Sequence, residues 1–535
     1  MHSEGIPFKE TGFFSRLILD YLDQLPELNP FYGRFPAMKA FEGQIEEKGM
    51  HFPLTHRKVL CEVLNDQYAS LEISNATREY LEKLQEPNTF TVVTGHQLNL
   101  FTGPLYFIYK ILSTIKLANI LSADYPDHHF VPVYWMGTED HDFEEVNHFN
   151  FKGKEIRWNR ESEGAVGRMD TRGLEAVFDR FSADLGPGKH ADSLRGLFHQ
   201  AYLEHSNMAE ATRYLVNQLF GDLGLVILDA DDRRLKTLFT PYVESDLFGN
   251  LGYRAVTGSI ERLNSLSGNY RIQVSPRELN FFYLTEGFRG RLVEEEGVFG
   301  VLDSDLRFSE AELREELKKH PERFSPNVTT RPLYQEVVLP NLCYIGGGGE
   351  LAYWLELKDF FAESGVPFPI LLLRNSALLV SEKQRKKIEN LGLGLKDLFL
   401  DPDRLVEKKV RDISDIEIDL SQQRHHLQQQ FKSLYELAEK TDKSFLGAVK
   451  AQEAKQLNGL DKLEKRLLKA QKRKLKDAVD RVLLLQEGLF PEGGLQERNR
   501  NFSEFFLSAG PGLLGALLED FEPLGQDFSI FTYPL

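Results

Sequence analysis

The stretch TGHQLNLFTGPLYFIYKILSTIKLA, from Thr94 to Ala118, decides the fold because it joins a strand-like run to a helix through a polar, glycine-bearing loop. The run before it, Phe90 to Val93, is short and rich in residues that favour strands. Gly103 and Pro104 predict a turn and a helix start, with Thr102 as the N-cap. A helix that begins there points free backbone N–H groups and the positive end of its dipole at an anion. The stretch therefore predicts a phosphate-binding strand–loop–helix unit of an open α/β sheet.

Four further strand-like runs end in polar or glycine residues. They are FVPVYWMGT before Glu139, Asp140, His141 and Asp142; Leu225 to Leu228 before Asp229; Leu342 to Ile345 before Gly346 to Gly349 and Glu350; and Pro369 to Leu373 before Arg374, Asn375 and Ser376. Strands that alternate with amphipathic helical patterns predict an α/β fold with a mostly parallel sheet and helices on both faces. The ligand crevice of such sheets lies outside the carboxyl ends of the strands, so we expect two clusters, the loop that begins at Thr94 and the residues Glu139 to Asp142, to face one pocket.

Composition limits the class of protein. The 535 residues are ample for a large core, and 41% hydrophobic and 27% charged residues are typical of a globular protein. No apolar run approaches the roughly eighteen residues of a membrane helix. The N-terminus lacks the features of a signal peptide, and two cysteines, Cys61 and Cys343, are too few for a disulfide framework, so a cytoplasmic location is expected. The net charge of −17 argues against a general nucleic-acid binder.

Residues 404–487 predict a separate helical domain. They contain no proline, only two glycines, Gly447 and Gly459, and apolar residues at three- and four-residue spacing. This pattern is typical of a coiled coil and predicts two long antiparallel helices joined or kinked between about 440 and 460. The expected domains are 1–155, 221–245 and 331–403 for the core, 156–220 and 246–330 for two connecting insertions, 404–487 for the antiparallel coiled coil, and 488–535 for a segment that packs back on the core.

The glycine run is the second strong indication of a site. Gly346 to Gly349 precede Glu350 and a helical pattern, so their N–H groups could form an anion nest at a helix start. A tight turn without a ligand would have the same sequence. Glu350 is either a ligand for a substrate amine or a carboxylate favoured by the helix dipole.

The segment Glu139 to His148 contains five carboxylates and two histidines. Acidic side chains here favour the binding of an amino group or a magnesium nucleotide. Asp140, His141, Asp142 and His148 include metal donors, but no zinc-enzyme signature is present, and no dedicated metal site is predicted. His96 and His141 are candidates for stabilising charge or moving a proton, with a structural histidine as the alternative.

Four long motifs occur in order around the coiled coil: TGHQLNLFTGPLYFIYK, VPVYWMGTEDHDFEEVNH, YIGGGGELAYWLELK and GGLQERNRNFSEFF. Over essentially the whole chain they resemble the cysteine ligase family of bacillithiol biosynthesis. The resemblance implies a Rossmann-like core related to class I nucleotidylyltransferases and aminoacyl-tRNA synthetases, two connecting insertions, and a coiled coil that mediates homodimerisation. The implied reaction is the last step of the pathway, which joins cysteine to the amine of glucosaminyl-malate.

The resemblance leaves the activation chemistry open. Thr94 to Gln97 resembles the HxGH nucleotide loop of adenylate-forming enzymes, with His96 in place but no second histidine. SEKQRKK, Ser381 to Lys387, is the nearest counterpart of a KMSKS loop, or else a basic helix. A cysteinyl-adenylate, a cysteinyl-phosphate and a preactivated cysteine donor all fit. ATP or a related nucleotide is the expected cosubstrate, with Mg²⁺ as its candidate companion.

The predicted site residues are His96, Asp140 and His141 for catalysis; Thr94, Gly95, Gln97, Gly346, Gly347, Gly348 and Gly349 for the nucleotide; and Asn99, Glu139, Asp142, Asn147, His148, Glu350, Arg374 and Asn375 for the substrates. Arg374 is the candidate clamp for the malate carboxylates, or else a structural ion-pair residue. The expected partners are cysteine, glucosaminyl-malate and a second copy of the chain, without nucleic acid or membrane. A nucleotidyltransferase-like enzyme with another acceptor and a non-catalytic coiled-coil assembly protein are the alternatives.

Overall fold

A computed structural model describes residues 2–162, 164–441 and 443–533. Its strands are β1 (His2–Pro7), β2 (Thr89–His96), β3 (His129–Met136), β4 (His148–Phe151), β5 (Lys154–Arg157), β6 (Val226–Asp229), β7 (Phe281–Thr285), β8 (Phe288–Glu295), β9 (Val298–Val301), β10 (Arg307–Ser309), β11 (Phe324–Pro326), β12 (Asn341–Gly346), β13 (Ile370–Leu373), β14 (Ala377–Ser381) and β15 (Asp527–Tyr533).

The helices of the first three hundred residues are α1 (Phe8–Thr11), α2 (Arg16–Leu22), α3 (Met38–His51), α4 (Leu54–Tyr68), α5 (Asn75–Lys83), α6 (Tyr106–Asp124), α7 (Phe143–Val146), α8 (Leu174–Leu185), α9 (Lys189–Leu203), α10 (Met208–Phe220), α11 (Arg233–Gly249) and α12 (Leu251–Ser265). Those that follow are α13 (Glu310–Lys319), α14 (Arg331–Val338), α15 (Gly348–Glu356), α16 (Lys358–Glu363), α17 (Glu382–Asn390), α18 (Pro402–Ile413), α19 (Ser421–Ala438), α20 (Lys443–Lys474), α21 (Lys476–Leu489), α22 (Gln496–Asn499), α23 (Phe502–Ala509) and α24 (Gly512–Asp520). The described chain divides into two compact units, one of residues up to 379 with those from 496 onward, and one of residues 380–495.

The first unit is built around a five-stranded parallel sheet of order β13-β12-β2-β3-β6. From β2 the chain adds β3 and β6 on one side, then returns to the other side of β2 for β12 and β13. This confirms the predicted parallel α/β core. The reversal also creates a topological switch point between β2 and β12, which is where doubly wound sheets bind ligands.

Burial of the sheet explains why its strands are continuous apolar runs in the sequence. Val92, Phe130 and Cys343 in the strands are buried against Phe41 of α3 and Leu117 of α6. Parallel strands are usually covered on both faces, so successive residues are apolar rather than alternating. The same burial fixes the register and holds the carboxyl ends of β2, β3 and β12 at one edge.

The predicted helix start at Thr102 is wrong. β2 extends to His96, and α6 begins only at Tyr106, without a side-chain cap. Between them Phe101 and Thr102 adopt positive φ angles of 47° and 68°. Tertiary contacts hold this turn, because Asn501 donates to the carbonyl oxygens of Phe101 at 2.8 Å and Gly103 at 2.6 Å. The Leu105 N–H donates to the Arg500 carbonyl oxygen at 2.7 Å, so this N–H group is already bonded within the protein.

The two segments predicted as insertions have different structures. Residues 156–220 contain the helices α8, α9 and α10. Residues 246–330 contain an antiparallel sheet of order β10-β9-β8-β7-β11 and the helices α12 and α13. The C-terminal residues of the first unit form α22 to α24 and β15, which pairs antiparallel with β1.

In the second unit, α19 packs against α20 as a helical hairpin. Phe431 and Ala438 of α19 and Val449 of α20 are buried between them. α19 ends at Ala438, α20 begins at Lys443, and α20 continues through Gly447 and Gly459 without a break. A glycine costs a helix only about 1 kcal/mol, so the glycines do not mark the join that the sequence predicted. Among the described residues, no helix is long and apolar enough to cross a membrane.

Candidate active site

A cavity of about 710 Å³ lies at the switch point of the parallel sheet. Gly95 and His96 border it from the end of β2, Gly137 follows the end of β3, and Gly347 and Gly349 border it from the start of α15. The ends of β2 and β3 meet closely, because a Cβ on Gly137 would lie 3.0 Å from the carbonyl oxygen of His96. The fold therefore brings the two predicted clusters to one pocket.

His96 is the histidine nearest the switch point. Its ring packs against Tyr106 and Phe107, with ring centroids 5.5 and 5.2 Å away. Burial, and then the positive charges of Lys110 and Arg374, hold the pKa of His96 well below its usual value. The imidazole is therefore neutral at pH 7. Its buried Nε2 has no hydrogen-bond partner among the described residues.

A buried ion pair joins α6 to α15 beside this histidine. Lys110 Nζ lies 2.8 and 2.9 Å from the two carboxylate oxygens of Glu350 and also donates to the carbonyl oxygen of Gly95. Tyr344 donates to Glu350 at 2.7 Å and the Gly347 N–H at 2.8 Å. Burial raises the pKa of Glu350, but Lys110 and these hydrogen bonds outweigh it, and the net pKa is lowered. Glu350 is thus ionised and fixed in place.

The start of α15 offers backbone donors to the cavity. Gly348 and Gly349 occupy its first turn, where N–H groups have no partner within the helix. None of the glycines from 346 to 349 has a positive φ, so the backbone conformation does not require glycine there. A Cβ on Gly349 would meet no protein atom within 4 Å. The glycine at this position leaves open space on the cavity side.

Asp140 and His141 form a chain of contacts after β3. Gln97 donates to Asp140 Oδ2 at 2.9 Å, and Arg331 lies 3.7 Å from the same oxygen. Burial raises the pKa of Asp140, but Arg331, Gln97 and Arg289 outweigh it, and the net pKa is lowered. Arg289 lies 2.6 Å from His141 Nδ1. Because a guanidinium can only donate, Nδ1 accepts this bond and the imidazole proton is on Nε2.

Arg374 borders the cavity but already has protein partners. It donates to Glu497 at 2.6 Å, to the Asn375 carbonyl oxygen at 2.9 Å and to Ser376 Oγ at 3.0 Å. Glu497 is fully buried and also accepts from the Ala377 N–H at 3.0 Å. This ion pair fixes the C-terminal segment to the end of β13.

Comparison with known proteins agrees with this architecture. The family described as "Bacillithiol biosynthesis BshC, N-terminal Rossmann-like domain" matches residues 1–375, and "Bacillithiol biosynthesis BshC, C-terminal coiled-coil domain" matches residues 377–533. The chain belongs to the BshC family.

Curated relatives are similar over their full length. Proteins named "Putative cysteine ligase BshC" are 54% identical in Christiangramia forsetii, covering 100% of this chain and 99% of the relative, and 52% identical in Flavobacterium johnsoniae, covering 99% and 100%. A solved structure titled as a "putative arginyl t-RNA synthetase" from Campylobacter jejuni covers 83% of this chain and 98% of its own, with 11% identity and a TM-score of 0.20. That score is too low to inform the fold.

In this BshC-family chain, the cavity gathers about half of the predicted site residues. Those that border it are Gly95, His96, Gln97, Asp140, His141, Asp142, Gly347, Gly349, Glu350 and Arg374. The others contact protein groups instead. Thr94 donates to the Ile345 carbonyl oxygen at 2.8 Å, Glu139 pairs with Lys236, and Asn375 donates to the Glu522 carbonyl oxygen at 3.1 Å.

The remaining predicted residues lie apart from the cavity lining. Asn147 is buried and accepts from Arg157 at 3.1 Å, and His148 lies 3.1 Å from its side-chain oxygen. Asn99 is buried with its side-chain oxygen unpartnered among the described residues. Gly346 and Gly348 pack against Leu351 and Ile18. Ser381 to Lys387 lie in the second unit, where Ser381 and Gln384 form the capping box of α17.

Five of the six arginines that border the cavity were not predicted from the sequence. Arg277, Arg289, Arg291, Arg331 and Arg498 border it together with Arg374, against the carboxylates of Asp140, Asp142 and Glu350. Six arginines and three carboxylates leave an excess of three positive charges in a chain whose net charge is −17. Such a local field attracts anionic ligands. No short motif marks these arginines, because their convergence depends on the antiparallel sheet.

Proposed function

We propose that this chain catalyses the last step of bacillithiol biosynthesis, the ligation of cysteine to the amine of glucosaminyl-malate, after ATP or a related nucleotide has activated the cysteine carboxylate. Membership of the BshC family and the name of its curated relatives support the reaction class. The observation that favours it most is the cavity at the switch point, where a neutral imidazole, a helix start and an excess of arginines meet. The acceptor and the nucleotide are both anionic.

The chemistry explains why such a cavity is needed. A free carboxylate does not acylate an amine in water at useful rates, so the carboxylate needs a leaving group and the two substrates must be held together away from water. The nucleotide supplies that leaving group. The chain binds the phosphates through the N–H groups at the start of α15, and Lys110 neutralises the nearby Glu350 carboxylate, which would otherwise repel them.

The histidine and the aspartate have different tasks in this proposal. The neutral His96 donates a hydrogen bond to the charge that develops on the leaving phosphate, and an anion beside it raises the pKa of the imidazole. Asp140 has a lowered pKa, so it is ionised and suits the orientation of the substrate amine better than proton abstraction. Gln97 follows His96 in the chain and donates a hydrogen bond to Asp140, so it connects these two residues.

Resident Mg²⁺ does not fit the acidic cluster. Donor atoms of Asp140, His141 and Asp142 lie within 4.8 Å of one another. However, His141 Nδ1 accepts from Arg289, and Arg331 faces Asp140. Two guanidinium groups beside the cluster oppose a bound divalent cation. Mg²⁺ therefore enters the proposal only as the companion of the nucleotide in solution.

We further propose that the chain forms a homodimer through the hairpin of α19 and α20. Leu434, Leu437 and Leu463 of this hairpin are 39%, 52% and 54% exposed. Exposed leucines on paired helices are typical of a coiled-coil contact with another helix.

The test of the reaction is mass spectrometry of the purified full-length protein with glucosaminyl-malate, cysteine, ATP and Mg²⁺. Bacillithiol is expected only in the complete mixture, with AMP or ADP as the coproduct. The alternative enzyme is distinguished by the amino acid that stimulates phosphate or pyrophosphate release from ATP, because the ligase requires cysteine for this release. His96→Ala is expected to reduce the rate about 100-fold or more. Full activity of His96→Ala combined with Asp140→Ala would favour a protein without catalysis at this cavity.

A further inference from the structure

Four arginines form one wall of the cavity, and we call Arg277, Arg289, Arg291 and Arg331 the arginine wall. Arg289 and Arg291 lie two residues apart on β8, so their side chains leave the same face of the strand. Arg277 precedes β7, and Arg331 is the first residue of α14. The wall thus comes from the antiparallel sheet and its flanks rather than from the parallel core that provides the start of α15.

Three of the four arginines of the arginine wall form no ion pair among the described residues. Arg289 contacts neutral groups, which are His141 Nδ1 at 2.6 Å, Ser325 Oγ at 3.1 Å and the Pro326 carbonyl oxygen at 3.4 Å. The nearest carboxylate to Arg331 is Asp140, at 3.7 Å. Within the part of the chain that the structure describes, Arg277 and Arg291 form no ion pair.

This lack of compensation has a physical cost. Burial and the charge of Arg331 lower the pKa of Arg289 to about 10, and the carboxylates of Glu139, Asp140 and Asp142 offset this only in part. Buried cations are normally paired with carboxylates, as Arg374 is with Glu497 at 2.6 Å. Arg289 lacks such a partner, although it borders a cavity that an anion can enter.

The wall is also preorganised. The Arg289 guanidinium lies 3.9 Å from the centre of the Phe282 ring, and its bond to Ser325 fixes the orientation of the fork. A guanidinium held in this way recognises a carboxylate through two parallel hydrogen bonds with little further loss of side-chain freedom. Two or more such groups on one wall suit a ligand with two carboxylates.

We propose that the arginine wall is a dicarboxylate subsite, which in the ligation holds the malyl group of the acceptor. This inference rests on the proposed function for the identity of the ligand. Arg289 and Arg331 make the principal contacts, and Arg277 and Arg291 flank them. The contacts from Arg289 to His141 and from Arg331 to Asp140 connect the wall to Gln97 and the end of β2. Carboxylates held on the wall direct the amine of the same molecule toward Asp140 and His96.

The experiment compares Arg331→Met and Arg291→Met with Arg307→Met in the full-length protein. Arg307 is the matched control, because it lies on β10 of the same sheet, donates to carbonyl oxygens and does not border the cavity. The acceptor KM is measured with glucosaminyl-malate, and calorimetry measures the binding of L-malate alone. In Arg331→Met the acceptor KM and the malate Kd are expected to rise about 10- to 100-fold, with a smaller rise in Arg291→Met. The kcat at saturating acceptor is expected to fall by a smaller factor than the acceptor KM rises, and Arg307→Met should match the wild type in both.

The outcomes separate the two claims. An acceptor KM that is unchanged in both cavity variants, while bacillithiol is still formed, would overturn the subsite and leave the proposed function standing. If the wild type binds malate but forms no bacillithiol, and the cavity variants lose malate binding, the subsite is supported and the proposed function is overturned. Absence of both malate binding and ligation in the wild type would overturn both. Arg331→Lys adds a folding control, since it keeps the charge but loses the bidentate fork, and an intermediate KM is expected.

Discussion

At the scale of single residues, the ion pair of Lys110 and Glu350 joins two of the elements that form the site. Their ion pair connects α6 with α15, and the Lys110 side chain is only 1% exposed. Removal of one partner of a buried pair leaves the other charge uncompensated. For this reason the pair is expected to matter more for stability than the surface ion pairs of the chain.

We expect Lys110→Met to lower the free energy of unfolding by roughly 3 kcal/mol, at the lower end of such effects, because Glu350 is 29% exposed. The measurement is urea denaturation at pH 7. Lys110→Met combined with Glu350→Gln should recover more than half of the loss, since no uncompensated charge then remains. A single variant as stable as the wild type would show that the pair does not hold the site.

The residues of the site differ in how far sequence could identify them. His96, Asp140 and Glu350 follow strand-like runs, and the rule that ligands bind at strand ends was sufficient to place them at one cavity. Lys110 lies within the apolar pattern FIYKIL, which gives no sign that its charge turns inward. The arginine wall was missed because strand pairing in the antiparallel sheet, rather than sequence proximity, brings its members together. Arg374 was found from its position after a strand, but its pairing with Glu497 depends on the distant C-terminal segment.

At the scale of secondary structure, the proposed function assigns the backbone donors for the nucleotide to the start of α15. We expect Gly349→Ala to weaken ATP binding at least 10-fold, because its methyl group would occupy space on the cavity side. Stability should stay the same or rise by up to about 1 kcal/mol, since alanine favours a helix. Gly348→Ala is the control, because Gly348 does not border the cavity. Calorimetry with ATP and urea denaturation check both claims, and unchanged affinity in Gly349→Ala would contradict a phosphate site there.

A buried carboxylate at the C-terminal end of α15 predicts that the stability of the protein depends on pH. Glu356 is fully buried and accepts from the N–H groups of Gln273 at 2.8 Å and Val274 at 3.0 Å, next to the loop that brings Arg277 to the cavity. Burial raises the pKa of Glu356 from its usual value of 4.5 to about 7. The folded state therefore binds this proton more tightly than the unfolded state does. Its contribution to stability is complete below pH 4.5 and is lost as the pH rises through 7.

We expect the wild type to lose on the order of 2 kcal/mol of stability relative to Glu356→Gln between pH 5 and pH 8. The comparison cancels the similar effect of Asp246, whose pKa burial raises to about 6 in both proteins. Chemical denaturation of the two proteins at both pH values measures the difference. A difference that does not change with pH would show that Glu356 does not titrate in this range.

At the scale of the whole molecule, the hairpin of α19 and α20 is the proposed dimer contact. Light scattering should give twice the 61.4 kDa of the chain for the wild type. Leu437→Glu combined with Leu463→Glu should give a monomer, because both exposed leucines would carry a charge into the contact. Gln429→Glu on α19 is a control that adds one negative charge at a polar position. A monomeric wild type would contradict the proposal.

The architecture of the whole chain was more predictable than the turns that connect its helices and strands. Continuous apolar runs separated by helical patterns were sufficient to predict the parallel sheet, because strands buried on both faces are apolar along their whole length. The turn at Gly103 was predicted, but the positive φ angles of Phe101 and Thr102 were not, since Asn501, almost four hundred residues later, holds this segment in place. α20 begins at Lys443, at the early end of the predicted interval of about 440 to 460, and that interval was wide because the glycines inside α20 resembled a break.

The most direct test of nucleotide-dependent ligation uses cysteine labelled with ¹⁸O in both carboxylate oxygens, supplied with ATP, Mg²⁺ and glucosaminyl-malate. Amide formation keeps one carboxylate oxygen in the product and releases the other with the leaving group. The proposal predicts bacillithiol with one ¹⁸O in its new amide and one ¹⁸O in AMP or inorganic phosphate, detected by mass spectrometry. Bacillithiol formed without label in AMP or phosphate would contradict nucleotide activation, and the absence of bacillithiol would contradict the proposed ligation itself.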